Sequence, residues 1–379
     1  MIDLDHNAGG QVRAEVAAAL GEWLAEPHGN PSSPHALGRR ARAAIDSARE
    51  SVAALVGSDP AEVIFTSGAT EANNQVVESS TGHVVTSVLE HPSLLRPLAR
   101  FGASRRVRSL RGDAFGRVSV AEALEALQPE TGLVSITWAS GEIGTLQPVA
   151  EIARAIRRER PAGVLLHSDA VQAVAWQEIG FADSALDLLT VSGHKIGAPT
   201  GAGALIVRAD CQLAPLLYGG PQERGRRAGT PNVSGLVGFG VAAGLALRER
   251  EKRRRLVARD IETIFEVLQS QAGPVQRLGP PNGLPNTLAI AFLGMRGDAL
   301  QVALDLEGIC VSTGPACAAG GAEPSPALVA LGLDDEIIKA ALRISLAEPL
   351  GQEQAVAVAT QMATVVTRAR RRAVAGRAA

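Results

Sequence analysis

Short apolar segments alternate with longer segments of helical periodicity from about residue 15 to residue 250 of the chain. The apolar segments are rich in β-branched residues and predict strands: EVIFTS, HVVTSV, GLVSITW, GVLLHSD, LDLLTVS and GALIVR. The helical patterns between them include ATEANNQVVESS, VSVAEALEALQ and VAEIARAIRRER. Strands that alternate with helices pair into a parallel, doubly wound sheet. The sequence therefore predicts an α/β fold with a mostly parallel central sheet.

The length of the chain, 379 residues, exceeds what one hydrophobic core usually serves, so two domains are expected. Long helical patterns near residue 250 lead into a second group of predicted strands, PNTLAIAF, GICVST and ALRISLA. We predict a large domain of residues 11–250 and a smaller α/β domain of residues 1–10 and 251–379. The pattern GxGxxG does not occur, which argues against a dinucleotide-binding domain.

Charge and composition argue against nucleic-acid and membrane partners. The formal net charge is −2, and the arginine-rich segments 248–255 and 367–377 lack interleaved aromatic residues for base stacking. No apolar stretch reaches the roughly 18 residues of a membrane span, and the N-terminus does not follow the order of a signal peptide. Three cysteines without a CxxC pair fit a reducing compartment, so a cytoplasmic location is expected.

Lysine is rare in this chain, which uses arginine for most of its positive charges. The three lysines are Lys195, Lys252 and Lys339, and the last two lie in charged helical segments. Lys195 lies instead in TVSGHKIGAPTGAG, among glycines and uncharged residues. A lysine amine can lose its proton in an uncharged environment and act as a nucleophile, whereas arginine stays protonated. We therefore expect Lys195 to perform covalent chemistry.

Polar residues follow several predicted strands, where open α/β sheets bind their ligands. The sequence SGAT, residues 67–70, precedes a helix whose first N–H groups can hold a phosphate, although Ser-Gly is also a common helix cap. Asp169 ends one strand 26 residues before Lys195, so both are expected at the same sheet edge. An N-cap is the alternative role for Asp169. His91 ends another strand, with a structural turn as its alternative.

Cys317 lies in VSTGPACAAGGAEPS, a loop of small residues in which an exposed, reactive thiol is expected. Cys310, in the apolar segment GIC, is interpreted as structural. Together, a phosphate-binding helix start, a carboxylate, a histidine and a lysine meet the needs of pyridoxal phosphate. The lysine would form an imine with the cofactor, the carboxylate would keep the pyridine nitrogen protonated, and the helix start would hold the phosphate.

Stretches along nearly the whole chain resemble the group I cysteine desulfurases of the NifS/IscS type, a branch of the class V aminotransferase-like enzymes. These stretches include LDHNAGG, GNPSSPHALGR, VIFTSGATEANN, GEIGTLQP, HSDAVQA, SGHKIGAPTGAGAL, GGPQERGRRAGTPN and STGPACAAGGAEPS. The resemblance implies a homodimeric fold type I pyridoxal-phosphate enzyme that converts L-cysteine to L-alanine. It also implies transfer of the sulfur to an acceptor protein, for iron-sulfur cluster or thio-cofactor assembly.

The resemblance implies a role for each matching residue. Lys195 would be the Schiff-base lysine, His91 would stack on the cofactor ring and shuttle protons, and Cys317 would receive the sulfur as a persulfide. Asp169 would contact the pyridine nitrogen and Gln172 the phenolic oxygen. Phosphate binding is implied for Ala69, Thr70, Ser192 and His194, with Thr230 supplied by the partner subunit. Substrate binding is implied for Arg343 and Asn30.

The sequence departs from the family at three places, one of which is Pro231, where the family has a glutamate. Ser140 and Gly141 stand where the family has paired asparagines, and Gly9 and Gly10 replace threonines. An asparagine at position 141 would donate a hydrogen bond to the phenolic oxygen, so Gly141→Asn is expected to raise turnover on cysteine. Two alternatives stay open: a related enzyme, such as a selenocysteine lyase or an aminotransferase, and a degenerate homologue with a scaffold role.

Overall fold

The computed structural model describes residues 1–101, 106–160, 163–314 and 325–378, with side chains up to residue 372. The helices in these parts of the chain are α1 (Ala14–Ala25), α2 (Ala36–Val56), α3 (Ala69–Ser79), α4 (Pro92–Arg100), α5 (Val120–Glu125), α6 (Val149–Glu159), α7 (Val233–Gln271), α8 (Gly297–Asp305), α9 (Pro326–Ala330), α10 (Asp335–Lys339) and α11 (Gln352–Ala378). The strands are β1 (Ile2–Asp3), β2 (Val63–Thr66), β3 (His83–Ser87), β4 (Val107–Leu110), β5 (Thr131–Ser135), β6 (Leu165–Asp169), β7 (Leu188–Ser192), β8 (Gly203–Val207), β9 (Val275–Arg277), β10 (Thr287–Phe292), β11 (Ile309–Cys310) and β12 (Ala341–Ser345).

The large sheet has the strand order β2-β8-β7-β6-β5-β3-β4. Strands β7, β6, β5, β3 and β4 pair in parallel, and β8 is antiparallel to its two neighbours, β7 and β2. The connection from β7 to β8 is too short for the crossover that a parallel pair requires, so the chain turns back. The predicted α/β fold with a mostly parallel sheet is confirmed.

The strands predicted from the apolar segments are all present. Strands β3, β7 and β8 are buried along their whole length, as expected where helices cover both faces of a sheet. Strand β4 was not predicted, because it is an edge strand with three exposed residues and no apolar run. Since β2, β3, β5, β6 and β7 run in one direction, their carboxyl ends meet at one edge of the sheet.

The C-terminal part of the chain forms smaller sheets. Strands β9 and β12 pair antiparallel with β10, and β1 pairs in parallel with β11, opposite Ile309 and Cys310. The N-terminal residues therefore pack with this C-terminal part. Helix α7 continues without a break through residue 250, where the boundary between the two domains is predicted. The division into domains stays a prediction.

Helix α2 packs along α7 and joins the strands to the C-terminal helices. It begins where the His35 imidazole accepts a hydrogen bond from the backbone N–H of Gly38, and it ends at Gly57 in the left-handed conformation, with φ of 70°. A Cβ at Gly240 would lie 2.7 Å from the Cα of Ala48, so the two helices approach backbone to backbone. None of the helices in the described part of the chain combines the length and the apolar character that crossing a membrane requires.

Candidate active site

A cavity of about 390 Å³ lies at the sheet edge where the parallel strands end. Its walls come from the segments after β2, β3, β5, β6 and β7, together with the N-terminal segment and strand β12. A second cavity of about 460 Å³, lined by Arg254, Arg255 and residues 279–285, contains none of the predicted site residues. Those that line the first cavity are Ala69, Thr70, His91, Asp169, Gln172, His194, Lys195 and Arg343.

Lys195 enters the cavity from the 3₁₀ turn Gly193–Ile196 that follows β7. Its Nζ donates hydrogen bonds to the backbone oxygens of Asn7, at 2.6 Å, and Ala8, at 2.8 Å. The turn ends at Gly197 with φ of 88°, a conformation that favours glycine. The amine is thus held by a segment 188 positions away in the sequence.

Asp169 is the last residue of β6 and lies opposite Thr190 of β7 in the parallel ladder. This pairing places Asp169 and Lys195 at the same sheet edge, as the spacing predicted. The carboxylate is buried and accepts hydrogen bonds from Nδ2 of Asn73, at 2.7 Å, and from the backbone N–H of Val171, at 2.9 Å. These contacts fix its orientation beside the cavity.

His91 is the N-cap of α4, and its Nδ1 accepts a hydrogen bond from the backbone N–H of Ser93 at 3.1 Å. That contact assigns the ring proton to Nε2 in the neutral form. The imidazole lies at the mouth of the cavity, with part of its surface exposed. Partial burial lowers its pKa, the charge of Asp169 acts in the opposite direction, and Lys195 lowers it further. His91 can therefore serve both as a structural residue of the turn and as a residue of the site.

The start of α3 forms one end of the cavity. Its N-cap, Gly68, provides no side-chain hydrogen bond to the first amides of the helix. Ala69, Thr70 and His194 lie around this end. Burial, and then the charge of Lys195, lowers the pKa of His194 to about 4, so its imidazole is neutral at pH 7. Uncapped amides beside a hydroxyl and a neutral imidazole suit a phosphate group.

Gln172 fills the space beside Gly141. Its Nε2 donates to the backbone oxygen of Asn7 at 3.2 Å, and a Cβ at Gly141 would lie 2.7 Å from that nitrogen. Gly10 is also constrained, since a Cβ there would lie 2.6 Å from Cε1 of His6. Gly9 has open space around it, with no atom within 4 Å of an added Cβ. The departures from the family therefore differ in their structural consequences.

Arg343 lies in β12, opposite Ala289 of β10, and its side chain is buried. Its Nη2 donates to Oδ1 of Asp5 at 2.6 Å and its Nη1 to the backbone oxygen of Gly141 at 3.2 Å. The guanidinium thus reaches the cavity with one carboxylate already bound.

Three predicted site residues in the described part of the chain do not line the cavity. Ser192 lies behind it, with Oγ 2.9 Å from Nδ1 of His194. Asn30 is exposed and its side chain accepts from the backbone N–H of Ser32, so the structure does not support a substrate contact within this chain. Thr230 is also exposed and does not line the cavity of its own chain. Cys317 lies outside the described residues.

Several residues of the site were missed by the sequence reasoning. Glu90 lines the cavity fully buried, its Oε1 accepting from Oγ of Ser87 and the backbone N–H of Thr137. Burial raises the pKa of Glu90 to about 8, so it holds a proton at pH 7. Glu142 is a second carboxyl, half-buried, whose pKa is raised by burial, and it accepts from Oγ of Ser325. The one signal for Glu90 in the sequence is its position between a predicted strand and His91.

The donor set around this cavity fits pyridoxal phosphate. The uncapped start of α3 provides for the phosphate, and the buried carboxylate of Asp169 provides for a protonated ring nitrogen. Lys195 brings an amine into the same cavity. This arrangement supports imine chemistry on an amino-acid substrate.

The chain matches the family Aminotransferase class-V over residues 2–357. A cysteine desulfurase of Trichormus azollae is 38% identical over 380 residues, covering 98% of this chain and 94% of the relative. The putative cysteine desulfurase IscS 1 of Bacillus subtilis is 36% identical, covering 97% of this chain and 99% of the relative. A solved NifS-like protein has a TM-score of 0.90 at 30% identity, covering 97% and 99% of the two chains. The chain therefore belongs to the class-V aminotransferase family, within its cysteine desulfurase branch.

Proposed function

We propose that this protein is a pyridoxal-phosphate-dependent cysteine desulfurase, which converts L-cysteine to L-alanine and transfers the sulfur to Cys317. The observation that carries the proposal is the convergence of Lys195, Asp169 and His91 on one cavity with an uncapped helix start. The relatives named cysteine desulfurase support it, because they align with almost the whole chain.

The residues present define how the cofactor would be held. The phosphate would be held by the first amides of α3, by Thr70 and by His194. Asp169 would contact the ring nitrogen, and Lys195 would bond to the aldehyde carbon. When bound, pyridoxal phosphate supplies an aldehyde that condenses with amino groups and a ring that withdraws electrons from the substrate α-carbon. Asn73 and Val171 keep the Asp169 carboxylate oriented by two hydrogen bonds.

The chain's own groups would move the protons. The amine of Lys195, which lines the cavity, would take a proton from the substrate α-carbon. His91 presents its Nε2 for a second proton transfer, because Nδ1 is held by Ser93. Arg343 would bind the substrate carboxylate and so orient the α-carbon toward Lys195.

Sulfur transfer would use Cys317. Its thiolate attacks the substrate sulfur, a sulfur–sulfur bond forms, and the carbon–sulfur bond breaks, leaving its electron pair on carbon for later protonation. The described cysteines suit this step poorly. Burial raises the pKa of Cys211 to about 11 and also raises that of Cys310, and neither lines the cavity.

The proposal includes a homodimer in the cytoplasm that passes the persulfide sulfur to an acceptor protein, for iron-sulfur cluster or thio-cofactor assembly. Exposed Thr230 supports the dimer, since a residue that serves a partner's phosphate site must be accessible on its own chain. Mixing Lys195→Ala with Thr230→Ala subunits tests whether Thr230 serves the site of a partner subunit. Subunit exchange should restore activity through one intact site, and a protein that sediments as a monomer would contradict it.

The main experiment measures alanine and sulfide from purified protein loaded with pyridoxal phosphate and supplied with L-cysteine. Lys195→Ala should lose the visible absorbance of the bound cofactor. Cys317→Ser should keep that absorbance and release no sulfur, whereas the matched control Cys310→Ser should stay active. Sulfur transfer that survives in Cys317→Ser would place the nucleophile elsewhere, and a colourless wild type would refute the cofactor assignment.

A further inference from the structure

The lysine and the arginine among the described residues of the cavity wall, Lys195 and Arg343, are both held by the N-terminal segment 5–8. Lys195 donates to backbone oxygens, but Arg343 pairs with a full negative charge, since its Nη2 lies 2.6 Å from Oδ1 of Asp5. The Nε of Arg343 is buried and has no hydrogen-bond partner among the described residues. The guanidinium therefore already pairs with the Asp5 carboxylate, and its Nε–H is available to donate a hydrogen bond.

Asp5 does not line the cavity itself and reaches it through its ion pair with Arg343, which does. Its backbone N–H donates to Oδ1 of Asp3 at 2.9 Å, and Asp5 forms a β-bridge with Ser345 of β12. Burial raises the pKa of its carboxyl, while the charge of Arg343 and the hydrogen bond to it act in the opposite direction. The backbone contacts and the ion pair with Arg343 hold this half-buried carboxylate beside the guanidinium, so its charge acts on whatever Arg343 binds.

We propose that Asp5 is a specificity-determining residue that acts through Arg343 and favours substrates with a single negative charge. The inference rests on the proposed function, in which Arg343 binds the substrate carboxylate. Asp5 is the first anion beside this guanidinium, and a ligand carboxylate would be the second. Asp169 adds a further negative charge to the same cavity. Cysteine has one carboxylate and an uncharged thiol, whereas aspartate has two carboxylates. Asp5 would thus select the cysteine class of amino acids over the acidic class.

The test compares propionate with succinate, neither of which has an amino group that could react with the cofactor. Their dissociation constants are measured by titration calorimetry on the enzyme loaded with pyridoxal phosphate. Asp5→Asn keeps an oxygen that can accept from Arg343 and removes the charge. We expect its affinity for succinate relative to propionate to rise about tenfold, because the charge of Asp5 repels the second carboxylate of succinate, and propionate has no second carboxylate for it to repel.

Asp3→Asn is the matched control. It removes a nearby negative charge, but Asp3 contacts Asp5 and not Arg343, so the ratio of the two affinities should stay within about twofold of wild type. If Asp5→Asn does not fold, Asp5→Ser is neutral too and carries the same expectation. An unchanged ratio in a folded, neutral variant at position 5 would overturn the inference.

Arg343→Gln separates this inference from the proposed function. Loss of propionate binding in Arg343→Gln, together with an unchanged ratio in Asp5→Asn, would refute the role of Asp5 alone. Unchanged propionate binding in Arg343→Gln would refute the substrate-binding role of Arg343, and the inference about Asp5 would fail with it.

Discussion

The substitution Gly141→Asn is where the sequence and the structure lead to opposite expectations. By resemblance, an asparagine at this position should contact the cofactor and raise turnover. In the structure, a Cβ at position 141 would lie 2.7 Å from Nε2 of Gln172 and 2.8 Å from its Cδ and Cγ. The Gln172 side chain already occupies the space that the asparagine needs. We therefore expect the substitution to displace Gln172 rather than to improve the site.

The magnitude follows from the contacts of Gln172. Its displacement breaks the hydrogen bond from Nε2 to the backbone oxygen of Asn7, a loss of about 1 kcal/mol. Extra atoms in a packed wall cost about 1–3 kcal/mol, and the flexible Gln172 side chain favours the lower end. We expect Gly141→Asn to lower the free energy of unfolding by about 2 kcal/mol and to weaken cofactor binding.

The assay is a double-mutant cycle on the free energy of unfolding in urea, with Gly141→Asn, Gln172→Ala and the double variant. Because Gln172→Ala removes the obstructing atoms and both single variants lose the same hydrogen bond, the double variant should be more stable than additivity predicts by about 2 kcal/mol. Gly9→Ala is the control and should change stability by less than about 0.5 kcal/mol, since its added Cβ meets no atom within 4 Å. Additive free energies, or higher turnover in Gly141→Asn, would refute the reasoning.

Two further predictions concern buried carboxyls. Glu223→Gln should lower the free energy of unfolding by about 3 kcal/mol, because it breaks a buried two-point ion pair with Arg49; the exposed control Asp46→Asn should change it by less than about 1 kcal/mol. Urea denaturation measures both variants, and equal losses of stability in Glu223→Gln and Asp46→Asn would contradict this prediction. Glu90 has a folded-state pKa of about 8 against an ordinary value of 4.5, so the folded protein binds more protons between these values. Its contribution to stability is complete below pH 4.5 and is lost as the pH rises to about 8. Between pH 4.5 and about pH 8 the free energy of unfolding should fall less steeply in Glu90→Gln than in wild type. An identical fall in the two proteins would indicate that Glu90 is ionised throughout this range.

Much of the fold could be predicted from the chain alone. The strands of the large sheet are short apolar segments bounded by polar residues, and burial on both faces is the physical reason for that composition. Strand β4 escaped prediction because an edge strand can expose polar side chains. The reversed direction of β8 depends on a short connection and not on the composition of the strand.

The sequence predicts site residues best where their position follows from nearby residues or from strand spacing. Lys195 was identified by its surroundings, and Asp169 by a spacing that parallel neighbouring strands convert into proximity. Asn30 was placed by resemblance, and the structure does not bring it to the cavity of its own chain. The structure argues against the expectation for Gly141, because Gln172 fills the adjacent space and nothing in the sequence shows this.

Local sequence sets the periodicity of the elements, the turns that end them and the residue types available for catalysis. These are local properties, set by backbone geometry and by the need to bury apolar side chains. The contacts of Asn7 with Lys195 and of Asp5 with Arg343 arise from tertiary packing, because these residues lie 188 and 338 positions apart in the sequence. Such contacts depend on how distant elements pack and on strand register, because a one-residue shift turns a side chain to the opposite face of a sheet.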